Sequence, residues 1–153
     1  MKDKIIKAKE VILNGGVILY PTDTIWGIGC SAIIESSIKK IFRIKRRDNS
    51  KLLISLVSSI KMLERYVESV PERALEYLYD ESPTTIIYPK VKGFNHILYG
   101  KNESIAIRLV KDNFCKALID EINIPLISTS ANMSGNPFPK KFKEIDKRII
   151  NQV

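Results

Sequence analysis

The sequence predicts an α/β fold, a single unit in which short buried strands alternate with amphipathic helices. Three observations predict it. Apolar runs of strand length occur at 17–20, 52–57 and 124–127. Between them lie segments with apolar residues at helical spacing, such as 35–45 and 112–122. No internal repeat, low-complexity tract or linker interrupts the order, so one domain over residues 1–153 is expected.

Composition bounds the function classes. A chain of 153 residues with 44% hydrophobic and 27% charged content is large enough to bury one core without staples. The start, Met1-Lys-Asp-Lys-Ile-Ile-Lys, has no signal-peptide core, and no apolar run is long enough to cross a bilayer. A cytoplasmic protein is expected. Cys30 and Cys115 lie far apart with no Cys-x-x-Cys spacing and read as small buried hydrophobes. The only histidine, His96, has no metal-ligand pattern around it and reads as a loop residue. A formal charge of +8 favours polyanionic partners, nucleotides or RNA.

In order along the chain, Ile5, Ala8, Val11 and Ile12 form one helical face, and Gly15-Gly16 ends that helix. The strand at 17–20 runs into Pro21-Thr-Asp-Thr24, a proline and three turn-forming side chains that interrupt it. Ile25-Trp-Gly-Ile-Gly-Cys30 follows as an extended stretch, where Gly27 and Gly29 leave room for a ligand or another backbone. Ile38, Ile41 and Phe42 mark a helix from Glu35 to about Lys45, which passes into a basic loop, Lys45 to Lys51. That run is either a solvated face or a set of cations gathered for phosphate. Two short helices are expected at 58–66 and 71–79, then a strand at 83–89. The strand at 104–109 carries one cation, Arg108, which calls for an acidic partner or an anionic ligand. Asp112 caps a helix over Phe114, Ala117, Leu118 and Ile122.

That helix leads into Ile124-Pro-Leu-Ile-Ser-Thr-Ser-Ala-Asn-Met-Ser-Gly135, a buried strand that delivers a polar loop to one edge of the sheet. Ser128, Thr129, Ser130 and Ser134 crowd around Asn132, more hydrogen-bonding capacity than a connector needs. A basic amphipathic segment, 141–150, closes the chain.

Taken together, Pro21-Thr-Asp-Thr-Ile-Trp-Gly-Ile-Gly-Cys30, Lys45-Arg-Arg47, Pro83-Thr-Thr85, Ile107-Arg108 and Ser128-Thr-Ser-Ala-Asn-Met-Ser-Gly135 resemble the YrdC/TsaC family over nearly the whole chain. The resemblance implies a twisted, open mixed sheet around a basic concave cavity. It also implies synthesis of L-threonylcarbamoyl-AMP from L-threonine, bicarbonate and ATP with release of pyrophosphate, for N6-threonylcarbamoyladenosine formation in tRNA. By the same resemblance Thr22, Arg108 and Ser130 would hold threonine. Lys45 and Arg47 would neutralise the ATP phosphates and act as the catalytic cations. Thr85, Ser128, Asn132 and Ser134 would complete the ATP site. Mg2+ would accompany ATP, with no protein side chains assigned to it, and Asp23 would either orient the threonine ammonium or hold its loop in an Asx-turn. Partners implied are tRNA or double-stranded RNA and other tRNA-threonylcarbamoylation proteins.

Carbamate attack on the α-phosphate brings anion to anion, so fixed cations and donors suffice and no protein nucleophile is needed. The competing class is a non-catalytic, RNA-binding YciO-like module. Trp26 stands where the family usually has tyrosine, and Val110 where proline often follows the arginine strand. Family members usually continue past the position of Val153 through a further segment with a strand, so either a domain truncated at its C-terminus or a site more open than usual is expected.

Overall fold

Lysines and apolar residues alternate at helical spacing from the start, and helix α1 spans Lys2–Leu13 with Ile5, Ala8 and Ile12 buried. Val11, expected on that face, is exposed. Gly15 and Gly16 end the helix: Gly15 takes a left-handed φ of 81°, and its N–H and that of Gly16 bond Ile12 and Val11 carbonyls. The computed structural model describes residues 1–22, 25–46, 48 and 52–153. Arg47, Asp23 and Lys51 therefore lie outside the described residues.

Strand β1 is Ile18–Pro21 and β2 is Trp26–Ser31. Pro21 does not interrupt the hairpin as expected but closes β1 in register with Trp26. It is tolerated because β1 is an edge strand and Trp26 N–H bonds the Pro139 carbonyl instead. Helix α2, Glu35–Lys45, matches the expected span and buries Ile38, Ile41, Phe42 and Ile44. Strand β3 is Ile54–Val57. The helix expected at 58–66 is shorter: α3 is only Ile60–Leu63, capped by Ser59. Helix α4 is Glu72–Tyr79 behind Pro71, and β4 is Thr85–Tyr88.

Two 3-10 turns, His96–Leu98 and Lys101–Glu103, occupy the loop before β5, Ile105–Leu109. Asp112 accepts from Cys115 N–H at 2.7 Å and caps α5, Asn113–Ile122, as expected. Strand β6 is Leu126–Ser130. The chain closes not in one helix but in a 3-10 turn, Phe142–Glu144, and a short α6, Lys147–Ile150. Asp146 divides them by capping α6 through Arg148 N–H.

The six strands form one mixed sheet in the order β1-β2-β6-β3-β5-β4. Among the described residues only β3 and β5 pair in parallel. Helices flank it, α1 packing on α5 and α2 on β2. The core gathers Ile12, Ile28, Ile38, Leu63, Ile107, Leu118 and Ile127. Both cysteines are buried, as expected, and burial pushes the Cys30 thiol up to about 12. No helix among the described residues is long and apolar enough to cross a membrane.

Candidate active site

Strand register places the polar residues on one face of the sheet. Tyr20 pairs with Gly27, Gly27 with Ser130 and Gly29 with Ser128. Ser128 then pairs with Ile54, Leu56 with Arg108, and Arg108 with Thr85. Paired residues point to the same side, so a row from Tyr20 to Thr85 crosses all six strands. The two serines and Arg108 thus look into one cleft of about 470 Å³, whose wall also includes Thr22, Gly27, Asp112 and Phe138.

The hydroxyl run was expected to be loop, yet Ser128, Thr129 and Ser130 lie within β6. Pairing to β2 on one side and β3 on the other keeps the backbone extended after the apolar residues stop. The site therefore sits at an interior strand rather than a sheet edge.

Gly27 and Gly29 serve an internal partner. A Cβ on Gly29 would stand 2.8 Å from the Ile127 carbonyl oxygen and 2.9 Å from the Tyr20 ring, and one on Gly27 3.0 Å from that ring. The missing side chains let Tyr20 lie flat across β2. Its hydroxyl bonds Ser128 Oγ on β6, and its ring stacks on Phe114 at 6.5 Å. Tyr20 is 1% exposed, and burial raises its phenol far above the ordinary tyrosine value, with Cys115 adding to the effect. Sequence reasoning missed this residue. The signal available was two glycines at strand spacing beside a hairpin that ends on an aromatic.

Lys45 is not in a basic loop. It is the last residue of α2 and 1% exposed. Its ammonium donates to the Ser130 carbonyl, to Asn132 Oδ1 at 2.9 Å and to Ser130 Oγ at 3.3 Å. Ser130 Oγ donates to Asn132 Oδ1 at 2.5 Å, and Asn132 Nδ2 to the Asn136 carbonyl at 2.6 Å. The Lys45 carbonyl accepts from Ser134 N–H at 3.0 Å. Lys45, Asn132 and Ser134 thus hold the loop after β6 against α2, and among the described residues none of the three forms part of the cleft wall.

Arg108 is half-buried in β5. Its Nε donates to Thr85 Oγ1 at 2.9 Å, which fixes the plane of the guanidinium. Among the described residues no carboxylate lies within ion-pair distance of it, so the acidic partner left open by the sequence is not found. Thr85 orients Arg108 and is not itself on the wall. Thr22 reaches the cleft, with Oγ1 donating to the Ile25 carbonyl at 2.6 Å and accepting from Ile25 N–H at 3.2 Å. His96 is exposed in its turn, with Nδ1 3.8 Å from a Glu35 oxygen.

The cleft, then, offers a guanidinium and strand-borne hydroxyls to an anionic ligand. Among the described residues no three His, Cys, Asp or Glu side chains are grouped as a metal site. Asp112, the one carboxylate among the described residues of the wall, is held by its helix cap.

A sequence model of the Sua5/YciO/YrdC family, described as "Telomere recombination", matches residues 10–153. The chain belongs to the Sua5/YciO/YrdC family. A threonylcarbamoyl-AMP synthase of Haemophilus influenzae is 37% identical over 132 residues, which cover 84% of this chain and 72% of that protein. Sua5 of P. abyssi, solved in complex with L-threonine, superposes with a TM-score of 0.86 at 29% identity, over 96% of this chain and 44% of Sua5. The chain thus spans less than half the length of Sua5. YciO of E. coli superposes with a TM-score of 0.85 at 26% identity, over 100% of this chain and 76% of YciO. The mixed open sheet with flanking helices is therefore the Sua5/YciO/YrdC fold.

Proposed function

We propose that this family member makes L-threonylcarbamoyl-AMP from L-threonine, bicarbonate and ATP, releasing pyrophosphate, and that the adenylate serves threonylcarbamoylation of adenosine in tRNA. The observation that carries the reading is Arg108, set by Thr85 at the cleft that Ser128 and Ser130 also line. Kinship with a threonylcarbamoyl-AMP synthase supports it.

In this reading threonine and bicarbonate combine to a carbamate with loss of water. A carbamate oxygen then bonds to the α-phosphorus as the bond to pyrophosphate breaks. Arg108 takes the threonine carboxylate through its planar fork. Ser128 and Ser130 offer hydroxyls to anionic oxygens. Lys45 acts through Ser130 and Asn132 by holding the loop, and Arg47 would complete the phosphate contacts. Mg2+ would enter with ATP as the MgATP substrate and be held chiefly by the phosphates and water. Electrostatic stabilisation in a preset site is enough for such a displacement.

The test incubates the pure protein with ATP, Mg2+, L-threonine and bicarbonate and follows pyrophosphate and the adenylate. Product should require both threonine and bicarbonate. A plain aminoacyl adenylation would proceed without bicarbonate. A folded chain that binds double-stranded RNA and forms no adenylate would overturn the reading in favour of the binding module.

A further inference from the structure

Tyr20 makes the only side-chain bond to Ser128 found among the described residues, and the two atoms are close enough for a firm hydrogen bond. Two hydroxyls in contact share one proton between them, so one must donate and the other accept. The surroundings decide which. Tyr20 is fully enclosed beneath α5 and across β2, and no other hydrogen-bond partner of its hydroxyl is found among the described residues. If Ser128 were the donor, the phenolic proton would be buried with no acceptor, an arrangement that folded proteins avoid. Ser128 faces the cleft, so its proton can be satisfied there. Burial also keeps the phenol protonated throughout the working pH range.

We propose that Tyr20 is a positioning residue that sets the polarity of Ser128, so that the Ser128 hydroxyl donates into the cleft to an anionic oxygen of the bound substrate. The inference rests on the threonylcarbamoyl-AMP synthase reading for the nature of that substrate. The oxygen is either a phosphate oxygen of the nucleotide or a carboxylate oxygen of the amino acid, chemistries that an oriented hydroxyl serves equally. Gly27 and Gly29 belong to the same device, since a side chain at either would lift the Tyr20 ring off the strand. Without Tyr20 the Ser128 hydroxyl is free to rotate and to present a lone pair to the anion.

Tyr20→Phe keeps the ring and removes only the donor. Wild type, Tyr20→Phe, Ser128→Ala and the double variant are each titrated calorimetrically with ATP, with L-threonine and with inorganic phosphate, and assayed for adenylate. Tyr20→Phe should weaken one of the ligands about three- to tenfold, the usual worth of a neutral hydrogen bond, and the ligand that moves identifies the oxygen. The double variant should bind no worse than Ser128→Ala, because Tyr20 acts through Ser128. Ser128→Thr, which keeps the hydroxyl, should retain wild-type affinity. Unchanged affinity in Tyr20→Phe overturns the proposal, as do losses that multiply in the double variant. A Tyr20→Phe chain that does not fold, or a wild type that binds none of the three ligands, overturns it as well. Binding losses of the expected pattern in a protein that makes no adenylate uphold the role of Tyr20 and reject the reaction. Adenylate formation untouched by Tyr20→Phe does the reverse.

Discussion

At the scale of single residues, the buried ammonium of Lys45 is the group whose role depends most on its surroundings. A lysine at 1% exposure survives only where its donors are met, and here Ser130 and Asn132 meet all three. Lys45→Met keeps the length of the side chain and removes the charge, leaving the Ser130 carbonyl without its partner. A buried acceptor left unmet costs about 1–3 kcal/mol, so Tm should fall by about 2–10 °C for a chain of this size. Binding of ATP and of threonine should weaken together, since both depend on the loop that Lys45 holds. Differential scanning calorimetry with ligand titration checks it. A drop in ATP affinity alone, at unchanged Tm, would instead mean that the ammonium turns to meet phosphate. Nothing in the sequence around Lys45 distinguishes it from Lys39 or Lys40, which are far more exposed on the same helix. Its burial is a product of the partner strand, eighty-five residues away in the chain.

At the scale of elements, the close passage of β1, β2 and β6 sets the site. Gly29→Ala would press a methyl against the Ile127 carbonyl at 2.8 Å, and backbone cannot step aside as a flexible side chain can. Overpacking of this kind costs about 1–3 kcal/mol, and Gly27→Ala, which meets only the Tyr20 ring, should cost less. Thermal melts of the two variants give the order, and an equal or reversed order would place the tightest contact elsewhere. Elements with a repeating apolar face and a local stop were legible in the sequence. Helix α2 ends as expected, and Asp112 caps α5 where the sequence placed it. Elements decided by distant pairing were not. The hydroxyls of β6 carry no apolar alternation, so only the register with β2 and β3 shows that they are strand. The segment at 58–66 has helical spacing but turns after Leu63. Arg108, a lone cation in an apolar strand, was legible as a candidate because burial of charge needs a reason, and it does line the cleft. Asn132 and Ser134 were assigned to the ATP site through the family resemblance, and their bonds to the Asn136 and Lys45 carbonyls, which fasten the loop, could not be read from the sequence because they depend on how the loop folds back on α2.

At the scale of the whole molecule, the charge of +8 acts before any contact forms. The described wall of the cleft carries Arg108 and Lys111 against the single acid Asp112, so its local sign agrees with that of the molecule. An anionic ligand is then drawn toward the opening from beyond contact range. ATP carries several negative charges at neutral pH, while threonine is a zwitterion with no net charge. The two substrates of the proposed reaction should therefore respond differently to salt. The screening length is about 30 Å at 0.01 M ionic strength and about 8 Å at 0.15 M, which spans the change from steered to unsteered approach. In stopped-flow measurements the association rate of ATP should fall several-fold over that range, with most of the affinity change in the on-rate. The association rate of threonine should stay within about twofold, because a dipole gains little from a distant net charge. Binding of double-stranded RNA, if it occurs at the same face, should show a steeper dependence still, through release of counterions. Equal salt responses for ATP and threonine would mean that the field at the mouth of the cleft is not positive despite the net charge, and that ATP is held by short-range contacts alone.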